Sequence, residues 1–165
     1  MGHWKNFRGF TTMELLLSMG ILMILLGVLT TLFGQILDVQ LESKSVSSVD
    51  QNGRFLLTRL TYDLQHASTI VTPATPGTTS DTLQIRINSV DYIYQASPSG
   101  NFVLTNNVGT NVLNSYSASI SAVSFTRLGN GDSNDTIRVN FTVTSRVREA
   151  DGFDQKQFQT TLGLH

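Results

Sequence analysis

The chain has 165 residues, a formal net charge of −1 and no cysteine. That balance leaves no basic excess for holding phosphates, so nucleic acid is not an expected partner. The missing thiols exclude disulfides, cysteine-ligated metals and cysteine nucleophiles. Hydrophobic residues make up 40% of the sequence, enough for one folded domain, but they are unevenly spread.

Met1 to Gly9 form a short segment carrying Lys5 and Arg8, followed by 23 uncharged residues from Leu15 to Leu37. At about 1.5 Å per residue such a run spans roughly 35 Å as a helix, enough for a hydrocarbon core of about 30 Å, and the pattern predicts a transmembrane helix. A cleaved secretory signal has an apolar region of about 7–15 residues and a small-x-small cleavage site. This run is longer, and Leu32 stands two positions before Gly34 where a small residue is wanted. The positive-inside tendency puts Lys5 and Arg8 in the cytoplasm and sends the chain after Asp38 across the membrane.

Glu14 lies directly against the apolar run, where a carboxylate loses hydration unless it finds a partner. Two readings are open. In one, Glu14 is a first-turn acid at headgroup depth, favoured by the helix dipole. In the other, it is a poorly solvated acid that needs a partner.

The string Arg8-Gly9-Phe10-Thr11-Thr12-Met13-Glu14-Leu15-Leu16 resembles the processing motif of type IV prepilins and type II secretion pseudopilins. The resemblance implies a leader of residues 1–9, cleavage between Gly9 and Phe10 by a prepilin peptidase, N-methylation of Phe10, and a role for Glu14 in assembly. The positive α-amine created at Phe10 is the kind of partner that a poorly solvated carboxylate on a neighbouring subunit requires. Thr12 and Met13 stand where family members often have an apolar pair. Thr31 occupies the place of the helix-kinking proline of many major pilins, which leans the resemblance toward a minor pilin or pseudopilin.

Beyond Asp38 the helical pattern continues through Val46, Val49, Gly53, Leu56, Leu57, Leu60, Leu64 and Ala67, mostly at three- and four-residue steps. One helix over residues 10–67 is expected, with 15–37 in the membrane. Gly20, Gly27 and Gly34 recur every seven residues near one face, read as a surface for close helix packing. Gly53 is read as a local bend. Residues 68–81, which include Pro73, Pro76 and Gly77, are expected to be a linker.

After the linker, strands are predicted at 82–87, 90–95, 102–105, 120–128, 136–144 and 157–162. Asn88-Ser89 is read as a hairpin turn, and residues 129–135 as a longer hairpin loop. The expected fold class is α+β: a long N-terminal helix whose amphipathic half packs on one antiparallel meander spanning residues 82–165. The late helical string Arg59 to Ala67 resembles the J-type minor pseudopilins.

No nucleophile, base and cleft pattern of a known enzyme class is present, and His3, His66 and His165 are scattered, so no catalysis and no cofactor are expected. Asn130, Asp132, Asn134 and Asp135 offer oxygens suited to Ca²⁺ but lack the glutamate that closes an EF-hand loop, and read as a solvated turn; no metal site is expected. The expected function is that of a structural subunit, a minor pilin or pseudopilin of the bacterial inner membrane, single-pass with its N-terminus cytoplasmic. Its expected partners are the prepilin peptidase, other pilin or pseudopilin subunits, the inner-membrane assembly platform and membrane lipid. The alternative is an extracytoplasmic binding module on an uncleaved N-terminal anchor.

Overall fold

A computed structural model describes residues 11–129, 135–149 and 152–164. Helix α1 spans Thr12–Gln65. The chain divides into two compact units, Met1–Gln40 and Leu41–His165.

In the first unit the described chain is α1 alone. Thr11 caps it: its carbonyl accepts from the Glu14 and Leu15 amides at 3.0 and 3.1 Å, and its Oγ1 lies 3.3 Å from the Glu14 nitrogen. These bonds satisfy amide groups that a helix start leaves without partners. No proline interrupts the apolar run. Its hydroxyls turn back on the helix, Ser18 donating to the Leu15 carbonyl, Thr30 to Leu26 and Thr31 to Gly27 at 2.8–3.0 Å.

In the second unit the remainder of α1 packs on two antiparallel sheets. The five-stranded sheet has the order β1-β3-β4-β5-β6, with β1 Thr69–Thr72, β3 Thr82–Ile87, β4 Val90–Ala96, β5 Phe102–Asn106 and β6 Gly109–Val112. The four-stranded sheet has the order β2-β7-β8-β9, with β2 Thr79–Ser80, β7 Ala118–Arg127, β8 Thr136–Glu149 and β9 Gly152–Gly163. Asn88 and Ser89, both at positive φ (49° and 65°), make the tight turn between β3 and β4. This is the geometry whose twist suits a two-residue hairpin.

The α+β class holds, with three corrections. The strands form two sheets instead of one meander, because the chain changes sheet three times: within residues 73–78 between β1 and β2, at Asp81 between β2 and β3, and across Leu113–Ser117 between β6 and β7. Residues 68–81 are not a bare linker, since β1 pairs with β3 and β2 with β7. The helix ends at Gln65 rather than Ala67, whose amide donates to the Leu64 carbonyl in a tightened last turn.

Period-two alternation sends Leu83, Ile85 and Tyr94 of one sheet, and Phe125, Ile137, Val139, Phe141 and Val143 of the other, into a common core. The helix contributes Val49, Leu56, Leu60 and Leu64 at helical spacing. Each buried side chain of this size is worth about 1.5–3 kcal/mol relative to exposure.

Candidate functional site

The assembly residues expected from the sequence fall in the first unit or before it. Gly9 and Phe10, with the whole leader Met1–Gly9, lie outside the described residues. Glu14 is in the first turn of α1, exposed, three residues after the capping Thr11. The pattern Thr11-x-x-Glu14 is that of a capping box, and an acid there is favoured by the helix dipole. The same position presents the carboxylate at the edge of the apolar run.

Gly20, Gly27 and Gly34 have nothing within 4 Å of where a Cβ would stand. From Thr11 to Lys44 every residue is exposed. Leu16, Leu17, Met23 and Ile24 are among the most open, at 66–71%. A helix apolar all round leaves its surface to lipid or to other helices. Among the described residues there is one helix long and apolar enough to cross a membrane.

In the second unit, side chains of α1 reach the β-domain through polar groups that the sequence pattern does not reveal. Asp63 is buried, accepting from Arg59 Nε at 2.7 Å and from the hydroxyl of Tyr94 on β4. Burial, and next the Asp63 carboxylate, push the Tyr94 hydroxyl pKa well above its usual value. Burial works against the Arg59 charge, but Asp63 and Tyr94 together outweigh it and raise that pKa. The Arg59–Asp63 pair sits at the readable i,i+4 spacing. Its third member comes from 31 residues away, beyond any local pattern.

A second group centres on Asn52. Its amide nitrogen donates to Ser115 Oγ at 2.9 Å and to the Ser48 carbonyl at 2.8 Å, and its Oδ1 accepts from the Ser115 amide at 2.7 Å. Ser48 and Ser117 hydroxyls meet at 2.7 Å. Asn114, also buried, accepts from the Phe102 amide and donates to the Ala118 carbonyl, both at 2.7 Å, joining the two sheets where the chain passes between them.

On the opposite flank of α1, Lys156 of β9 bonds Asp50 at 2.8 Å, and this bond holds the Asp50 carboxyl below its usual pKa. Gly53 is not a bend but a packing position, for a Cβ there would overlap the ring of Phe158. The helix runs through it unbroken.

Arg127 fastens the 68–81 segment, donating to the carbonyls of Ile70, Pro73 and Ala74 at 3.4, 3.2 and 2.7 Å and pairing with Asp135. Asp135 is the described member of the loop considered for calcium. Asn130, Asp132 and Asn134 lie outside the described residues, as do His3 and His165. His66 bonds the Tyr62 carbonyl at 2.7 Å. Among the described residues no group of three or more His, Asp or Glu is placed to hold a metal ion.

No protein-family model matches the chain, and no curated protein and no solved structure matches it either.

Proposed function

We propose that this chain is a minor pilin or pseudopilin of a type IV pilus or a type II secretion pseudopilus. A prepilin peptidase removes Met1–Gly9, Phe10 becomes the methylated N-terminus, and α1 crosses the bacterial inner membrane with its N-terminus cytoplasmic before assembly with other subunits. The observation that carries the reading is the division of α1. Residues from Thr11 to Lys44 are exposed throughout and apolar over most of their length, while those from Ser45 onward dock on a folded domain. A subunit that anchors in lipid and then packs helix against helix needs this division, and the Gly9-Phe10 junction with Glu14 supplies the processing and pairing chemistry.

The Thr11 cap favours a second reading, in which Glu14 serves its own helix and the chain is an extracytoplasmic binding module on an uncleaved anchor. Intact-mass analysis of protein extracted from membranes containing an active prepilin peptidase separates the two. The subunit reading expects a chain beginning at methylated Phe10. A chain retaining Met1 would rule it out and leave the anchored module.

A further inference from the structure

Four strands end the two sheets: β1 and β6 on one, β2 and β9 on the other. An edge strand presents unpaired N–H and C=O groups that template pairing with another chain, and folded proteins blunt such edges with brevity, charge, proline or a bulge. Three of these edges are blunted. β2 has two residues. β1 shifts register between Ile70 and Thr72, runs into Pro73, and gives its Ile70 carbonyl to Arg127. β9 carries Asp154 and Lys156, the latter engaged by Asp50.

β6 has none of these protections. Gly109-Thr110-Asn111-Val112 contains no charge and no proline, pairs with β5 without a bulge, and is exposed at all four residues. The Leu113 amide donates to the Phe102 carbonyl at 2.8 Å. By the alternation of an antiparallel ladder, Gly109 and Asn111 also turn toward β5, whereas Thr110 and Val112 turn their N–H and C=O outward. No strand among the described residues takes them. Val108, Val112 and Tyr116, at 86%, 55% and 90% exposure, add apolar surface along this edge and its flanks.

We propose that β6 is a docking edge on which a second copy of this chain adds its own β6, antiparallel about a two-fold axis through Asn111. The outward groups fit this occupant because they lie symmetrically about that residue. Thr110 of each copy faces Val112 of the other, and all four outward N–H groups find carbonyls. A two-fold axis sets a strand against itself, so any charge near the axis would meet its like; β6 carries none. Four bonds are few for freely diffusing partners, but copies held by their apolar helices in one bilayer or micelle meet at raised effective concentration. The pairing does not depend on cleavage after Gly9.

The full chain lacks cysteine, so single cysteines report the pairing directly. Asn111 faces its own copy as a non-hydrogen-bonded pair with a Cα separation of about 4.5 Å, within the roughly 4.4–6.8 Å that a disulfide bridges. Mild oxidation of the full-length Asn111→Cys protein in native membranes is expected to give at least about tenfold more disulfide dimer than Val108→Cys, which is off the axis. Adding Val112→Pro removes an outward N–H without touching a bond to β5 and should abolish the dimer. Thr110→Lys, which brings like charges together across the pair, should do the same and covers the case in which proline disturbs the hairpin. Equal crosslinking at 108 and 111, or crosslinking at 111 that survives both second substitutions, would overturn the proposal.

Discussion

Between Thr12 and Lys44 every residue of α1 is exposed, and its three glycines have no neighbour, whereas eight residues from Ser45 to Leu64 are buried. Both stretches are helical and both carry large apolar side chains. They differ in polar punctuation. Asn52 and Asp63 lie within the buried stripe of the later stretch, with Ser48 and Asp50 beside it, and each meets a named partner on a strand or loop. The earlier stretch spends its hydroxyls on its own carbonyls. A surface whose Ser and Thr hydroxyls bond its own carbonyls and that carries no charge from Leu15 to Leu37 suits lipid or another apolar helix. A surface with addressed polar groups accepts one domain in one register.

The largest effect that would sharpen this contrast is expected at Asp63. Asp63→Ala leaves the buried Tyr94 hydroxyl without its carboxylate and the half-exposed Arg59 without its partner, and should cost about 2–4 kcal/mol of domain stability. Urea unfolding of the detergent-solubilised full chain, followed by near-ultraviolet tyrosine dichroism, measures it. The double change Asp63→Leu with Tyr94→Phe removes both polar groups and should recover much of the loss. An Asp63→Ala midpoint equal to wild type would mean that this contact does not hold the helix to the domain.

Gly53→Leu should lower stability by about 1–3 kcal/mol in the same assay, because the side chain must displace Phe158. Gly20→Leu, with open space around it, should leave the domain midpoint where it was. Equal responses at the two positions would erase the distinction between the stretches.

The raised pKa of Tyr94 gives a pH signature. Its hydroxyl ionises near the usual value of about 10 when unfolded but resists ionisation when folded, so above that pH the unfolded chain binds fewer protons. The contribution is complete below about pH 10 and declines by up to about 1.4 kcal/mol per pH unit as pH rises toward the folded value. Tyr94→Phe should remove that part of the alkaline slope. An unchanged slope in the variant would assign it to other groups.

The smallest effect on stability is expected at Glu14, which is exposed in the first turn. Glu14→Gln should leave the domain midpoint within about 0.5 kcal/mol, as for other surface changes. If Glu14 pairs with the Phe10 amine of a neighbour, the same variant should still be membrane-inserted yet depleted from sheared filaments relative to wild type. Equal filament pools would favour the first-turn role alone.

Much of the architecture is legible in the sequence because it rests on periodicity. The apolar run, the later helical stripe from Val49 to Leu64 and the alternation in β3, β4, β7 and β8 are all local patterns. β1 and β2 escape because Thr69-Ile70-Val71-Thr72 and Thr79-Ser80 are too short to show a period and flank prolines that signal a loop. β6 escapes because Gly109-Thr110-Asn111-Val112 has no buried face to produce alternation. Gly53 shows why a single residue misleads: glycine marks either a bend or a close approach, and only the position of Phe158 decides between them. The partners of Asn52 and Asp63 lie 63 and 31 residues away, and no spacing rule reaches that far.

The contact between Asp50 and Lys156 joins residues 106 apart, and Phe158 closes over Gly53 from the same last strand. At about 5–20 residues per second, a ribosome needs roughly 5–20 s to travel from one end of that contact to the other. Over that interval the stripe of Val49, Leu56, Leu60 and Leu64 is made first, the strands that share its core follow one by one, and the Phe158 ring that covers Gly53 comes last. The helix is the earliest part of the domain to be synthesised and β9 the last, so a nascent chain stalled before β9 holds Gly53 without its Phe158 cover and Asp50 without Lys156.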